Sequence, residues 1–243
     1  MASEGGGRAR PRRFRQGETL PARLEDVELL TRDGLTLVGE IALPVEPPTV
    51  ATLVCLHPLP THGGSMDSHL LKKASNLLPH LAGIAVLRFN TRGTSSTRGT
   101  SGGVFGHAEA ERDDVAAALS LVESERLPDP WLLGWSFGSD LVLRYGLSPL
   151  VRGAVLLSPT LRWSAPEHLT AWAAAGTRLT VLLPEHDDFL PTEQALERFR
   201  AVPQAELVVI QGAKHLLFGH TEQVFAEVLQ RVAPDAAILA DAP

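Results

Sequence analysis

Residues 131–138 read Trp131-Leu132-Leu133-Gly134-Trp135-Ser136-Phe137-Gly138. A short apolar run meets a serine set between two glycines, and residues 136–145 then read as a helix that Gly146 can end. Two explanations compete for the serine. It is either an ordinary helix N-cap or a nucleophile on a strained turn. A strand, a tight turn and a helix are the setting that a nucleophile elbow needs. Small residues at 134 and 138 let the chain pass close to itself. The N-terminus of the helix favours negative charge at the serine.

Outward from this point the pattern is regular. Residues 27–30 and 35–43 flank the turn signal Asp33-Gly34 and predict a leading hairpin. Strands are expected at 50–56, 84–89, 131–134, 154–157, 179–183 and 207–210. Helices are expected at 70–81, 109–125, 136–145, 166–175, 192–201 and 221–232. Strands that alternate with helices and are themselves continuous apolar runs predict an α/β fold, a mostly parallel sheet covered on both faces. Ligands in such sheets bind outside the carboxyl ends of the strands.

The chain has 243 residues, 44% of them hydrophobic, and a formal net charge of −6. That length suits one sizeable domain, expected over 24–233. An arginine-rich tail is expected at 1–23 and a short flexible one at 234–243, both disordered. The negative charge argues against nucleic acid as a partner. No apolar run approaches the roughly 18 residues of a membrane span. Cys55 is the single cysteine, so no disulfide framework is expected, and a reducing, cytoplasmic setting fits.

A serine hydroxyl needs a base to take its proton and an acid to orient that base. Both should follow strands later in the chain. Pro184-Glu185-His186-Asp187-Asp188 follows one, and Gln211-Gly212-Ala213-Lys214-His215 follows the next. Asp187 and His215 are the candidate acid and base, with Asp188 the alternative acid. The oxyanion of acyl transfer needs two amide donors. The Phe137 N–H is one. The loop His57-Pro58-Leu59-Pro60-Thr61-His62-Gly63-Gly64 offers the other. Pro58 and Pro60 have no N–H, and Leu59 between them is the candidate donor.

These residues together resemble the α/β-hydrolase superfamily, and within it the small bacterial hydrolases related to dienelactone hydrolases and serine peptidase/esterases. The resemblance runs from about residue 24 to 233. It rests on the loop at 57–64, Arg88-Phe89-Asn90 with Arg92-Gly93, the serine motif at 134–138, the acid motif ending at Pro191, and Gly212 to His215. It implies an α/β-hydrolase fold with Ser136 as nucleophile, Asp187 as acid, His215 as base, and Leu59 and Phe137 at the oxyanion hole. The loop departs from the group at Leu59, where a second histidine is common, and the acid motif departs at Pro184, where glycine is frequent.

The remaining expectations are looser. His57 is expected to hydrogen-bond backbone. His62, His69 and Asp67 lack the spacing of a metal site, and neither metal nor cofactor is expected. Thr91-Arg92-Gly93-Thr94-Ser95 recurs as Thr97-Arg98-Gly99-Thr100-Ser101, predicting a mobile glycine-rich loop, or a substrate-contacting one. His62 and Arg92 are the candidate substrate contacts, and either Arg92 or Arg98 has the charge to hold an anionic group. Too few residues separate the strands at 154–157 and 179–183 for a cap domain. An open site, covered at most by 91–107 and 160–176, suits a small acyl substrate. Ester hydrolysis is the expected reaction, with thioesters or amides, or mere ligand binding, as alternatives.

Overall fold

The computed structural model describes residues 19–236. Of the expected tails, 1–23 and 234–243, residues 1–18 and 237–243 lie outside the described residues. The chain joins the fold earlier than expected. The Leu20 N–H donates to the Asn76 carbonyl, and the first strand starts at Arg23.

Strands β1 (Arg23–Leu30) and β2 (Thr36–Leu43) form the leading hairpin, closed at Asp33-Gly34. Then follow β3 (Ala51–Leu56), α1 (His69–Ala82) and β4 (Ile84–Phe89). A two-stranded hairpin, β5 (Ser95–Ser96) and β6 (Gly99–Thr100), precedes α2 (Glu111–Ser124). Next come β7 (Pro130–Trp135), α3 (Phe137–Tyr145), β8 (Gly153–Leu157) and α4 (Pro166–Ala175). The chain continues through β9 (Arg178–His186), α5 (Thr192–Phe199), β10 (Ala205–Lys214) and α6 (Thr221–Val232).

Eight strands make one sheet in the order β1-β2-β4-β3-β7-β8-β9-β10. Its first two pairings, β1 with β2 and β2 with β4, are antiparallel and the rest parallel. Side chains alternate across the sheet into two cores. Val54, Leu56, Leu132 and Leu156 face the core shared with α2, α3, α4 and α5. Leu53, Cys55, Leu133 and Val155 face the core shared with α1 and α6. Every residue of β3, β4, β7 and β8 is buried, which is why these strands read as unbroken apolar runs. Each fully buried leucine or valine contributes about 1.5–3 kcal/mol.

The strand order reverses at β3, so the loops after β3 and β7 lie side by side at the carboxyl edge. Residues 158–177, between β8 and β9, hold only α4, so no cap domain is built there. Among the described residues no helix is long and apolar enough to cross a membrane.

Candidate active site

Ser136 stands where β7 ends and α3 begins, with φ 55° and ψ −113°. A non-glycine residue in this region is strained and persists only where its surroundings hold it. Here the Ser136 N–H continues the sheet ladder to the Leu157 carbonyl at 2.8 Å. Its own carbonyl accepts from the Ser139 N–H at 2.9 Å. The Ser139 hydroxyl donates to the Gly134 carbonyl at 2.8 Å, tying the two arms of the turn. A side chain at 134 or 138 has no room. A Cβ on Gly134 would meet the Gly138 carbonyl oxygen at 2.5 Å, and one on Gly138 would meet the Leu56 carbonyl oxygen at 2.1 Å. The Ser136 side chain caps no helix amide, so the N-cap explanation fails.

His215 follows β10 and turns its ring to the serine. Its Nε2 is 2.9 Å from Ser136 Oγ, and its Nδ1 is 2.8 Å from Asp187 Oδ2. A carboxylate only accepts, so Nδ1 carries the hydrogen and Nε2 is left to accept the serine proton. Asp187 directly follows β9, and its Oδ1 also accepts from the Phe189 N–H at 2.8 Å. Asp188 is exposed and touches neither residue. Both Asp187 and His215 are more than nine-tenths buried, which shields their hydrogen bonds from water.

The Phe137 and Leu59 N–H groups donate to no group among the described residues. The loop that carries Leu59 is held by His57. Its Nδ1–H donates to the Pro58 carbonyl at 2.6 Å, and its Nε2 accepts from the Thr91 N–H at 3.0 Å. Burial pushes the His57 imidazole down to about 4, so it is neutral near pH 7. Asp67 pairs instead with Arg88 and Thr97, and His69 bonds the Leu216 carbonyl.

A pocket of about 410 Å³ opens above Ser136, a volume in the range of small-molecule sites. Leu59, Trp163, Phe189 and Leu216 give it apolar walls, and exposed His62 stands at its rim. The Phe189 ring lies 4.3 Å from that of His215.

Two expectations are corrected. Arg92 is 5% exposed and does not line the pocket. Its guanidinium pairs with Asp114 at 2.8 Å and with Asp33 at 2.9 Å. Arg98 pairs with Asp26 and Glu40. The duplicated segment therefore does not line the pocket. It is a hairpin fastened at both ends, Gly93 N–H to the Gly102 carbonyl and Gly102 N–H to the Thr36 carbonyl.

Other residues went unnoticed in the sequence. Thr160 and Arg162, on the chain after β8, also line the pocket. Asp140, fully buried in the first turn of α3, accepts from Thr160 Oγ1 at 2.8 Å and from Ser164 Oγ at 2.6 Å. Burial raises its carboxyl above the ordinary value, against the pull of those two hydroxyls. The available signal was a charged residue inside a short helix otherwise rich in apolar residues.

Three solved structures share the fold. An α/β serine hydrolase homologue from Coxiella burnetii is 24% identical with a TM-score of 0.73, covering 86% of this chain and 97% of its own. A lidless α/β serine hydrolase from Xanthomonas campestris is 23% identical with a TM-score of 0.71, covering 93% and 99%. A Pyrococcus furiosus esterase is 20% identical with a TM-score of 0.70, covering 87% and 92%. No family model and no curated protein matches the sequence. The chain thus has the α/β-hydrolase fold, and among the described residues no cap domain stands between β8 and β9.

Proposed function

We propose that the protein is a serine hydrolase that cleaves a small carboxylic ester or related acyl compound. The observation that carries the reading is the relay from Asp187 through His215 to Ser136, at 2.8 and 2.9 Å, at the floor of an open apolar pocket. The solved structures of the same fold that are called serine hydrolases and an esterase support it.

His215 Nε2 takes the proton as Ser136 Oγ attacks the acyl carbon. The carbonyl oxygen gains the charge, and the Phe137 and Leu59 N–H groups stabilise it. As the bond from carbon to the leaving oxygen breaks, His215 returns its proton to that oxygen and an acyl-serine remains. Water attacks next, giving its proton to His215, and the acid leaves as Ser136 regains its hydrogen. Asp187 fixes the tautomer and stabilises the imidazolium. The sequence of steps starts with His215 as the proton acceptor. No cofactor enters the scheme.

Intact mass after exposure to a fluorophosphonate probe tests it. One adduct on the wild type and none on Ser136→Ala or His215→Ala is the expected result. A folded wild type that takes no adduct would refute the activated serine and leave a ligand-binding pocket.

A further inference from the structure

We propose that the wall formed by residues 158–164 selects substrates that carry a carboxylate, which Arg162 meets and Asp140 helps to present. The proposal rests on the serine-hydrolase reading and names its substrate class.

Arg162 lines the pocket and is exposed. It has no ion-pair partner among the described residues, whereas Arg88, Arg92, Arg98 and Arg144 each meet a carboxylate. No aspartate or glutamate lines the pocket. Its polar lining is Ser136, Thr160, the two imidazoles of His62 and His215, and this guanidinium; the rest is apolar. The carbon of the guanidinium stands 4.8 Å over the Trp163 ring, which leaves the planar fork of N–H donors available. That fork matches a carboxylate in two parallel hydrogen bonds. A single positive charge balances a carboxylate better than a phosphate dianion.

The backbone that carries Arg162 is fixed on both sides. Ser158 and Leu161 take left-handed conformations, φ 46° and 50°, and Leu161 is buried in the core. Thr160 and Ser164 both bond Asp140. Arg144 Nη1 donates to the Trp163 carbonyl at 2.8 Å, and the Trp163 ring packs edge-on to Phe137 at 5.0 Å. Asp140 and the serine turn belong to one helix start, so the wall is registered to the nucleophile. A side chain presented from a rigid backbone loses less freedom on binding.

The test compares kcat/KM for mono-4-nitrophenyl adipate against 4-nitrophenyl hexanoate. A second pair is 4-(butanoyloxy)benzoate against its methyl ester, with the anion on the leaving group. The full chain should prefer the anionic member of at least one pair about tenfold or more. R162Q should erase that preference, R162K should keep part of it, and D140N should weaken it through KM for the anionic member. Equal preference in wild type and R162Q, or no preference in wild type, overturns the proposal while the hydrolase reading stands. A wild type with neither turnover nor a fluorophosphonate adduct sinks that reading instead. Calorimetric titration with 4-(butanoyloxy)benzoate then decides the wall. Binding about tenfold weaker in R162Q supports it, and equal or undetectable binding in both overturns it.

Discussion

Two stretches leave the carboxyl edge of the sheet with similar ingredients, an arginine among small hydroxyl residues. The stretch after β4, residues 90–104, turns its arginines inward: Arg92 onto Asp33 and Asp114, Arg98 onto Asp26 and Glu40. The stretch after β8, residues 158–164, has the hydroxyls of Thr160 and Ser164 bonded to Asp140 and leaves Arg162 facing the pocket. The duplicated, glycine-rich stretch looks like a ligand loop and is a structural clamp. The plainer one lines the cavity. An arginine's work is decided by the carboxylates within reach of it, not by the loop in which it stands.

The largest expected effect falls on Ser136, between the two stretches. Ser136→Ala should lower ester hydrolysis on the order of 10⁴-fold in steady-state assays, with little change in melting temperature. Asp114→Ala comes next and sharpens the comparison. It removes the buried partner of Arg92 and leaves it only Asp33, which is partly exposed, a loss of about 3 kcal/mol. By thermal denaturation that is about 6–12 °C, whereas R162Q should stay within about 2 °C. An Asp114→Ala protein as stable as wild type would break the contrast.

The third effect is a pH dependence that belongs to the clamp's side of the site. His57 sits between the Thr91 N–H and the Pro58 carbonyl, with its imidazole held down to about 4. An unfolded histidine titrates near 6.5, so between these values the unfolded chain binds more protons. Stability is complete above about pH 6.5 and is lost as pH falls toward 4, by about 3 kcal/mol. Denaturant titrations between pH 7 and 4 should show the slope. H57Q should remove most of it, and His69, shifted the same way by burial, accounts for a remainder.

The smallest effect is D140N. An amide nitrogen can only donate, so one of the two hydroxyls must turn round to accept and its bond to a carboxylate becomes a weaker, neutral one, a loss of about 1.5 kcal/mol. KM for a pocket-filling ester should rise about tenfold with kcat changed less. An equal fall in kcat and no change in KM would mean that Asp140 serves the serine turn rather than the wall.

The elbow was legible because backbone demands appear directly as residue types. Only glycine fits at 134 and 138, and the serine between them ends an apolar strand. Asp187 and His215 were legible from their places after β9 and β10. The ends of those strands were not. β10 runs on to Lys214 through a register shift after Ile210, where exposed Gln211 and Gly212 break the apolar pattern. Ion pairs were the least legible. Arg92 meets Asp33 from the first hairpin and Asp114 from α2, and Thr160 and Ser164 meet Asp140 across some twenty residues. Such partners depend on packing between elements, which no local pattern records.

Gly138 lies where α3 crosses the end of β3, against the Leu56 and His57 carbonyls. The two amides proposed for the oxyanion come from the two segments that touch there, Phe137 beside the glycine and Leu59 just beyond His57. Gly138 thus acts as the shim of the site, and it is as thin as a residue can be. A single methyl group would work as a wedge, prying the serine turn away from the Leu59 loop while the side chains of Ser136, His215 and Asp187 kept their own length and chemistry. The calibration of the chemistry therefore resides in an atom that the residue lacks.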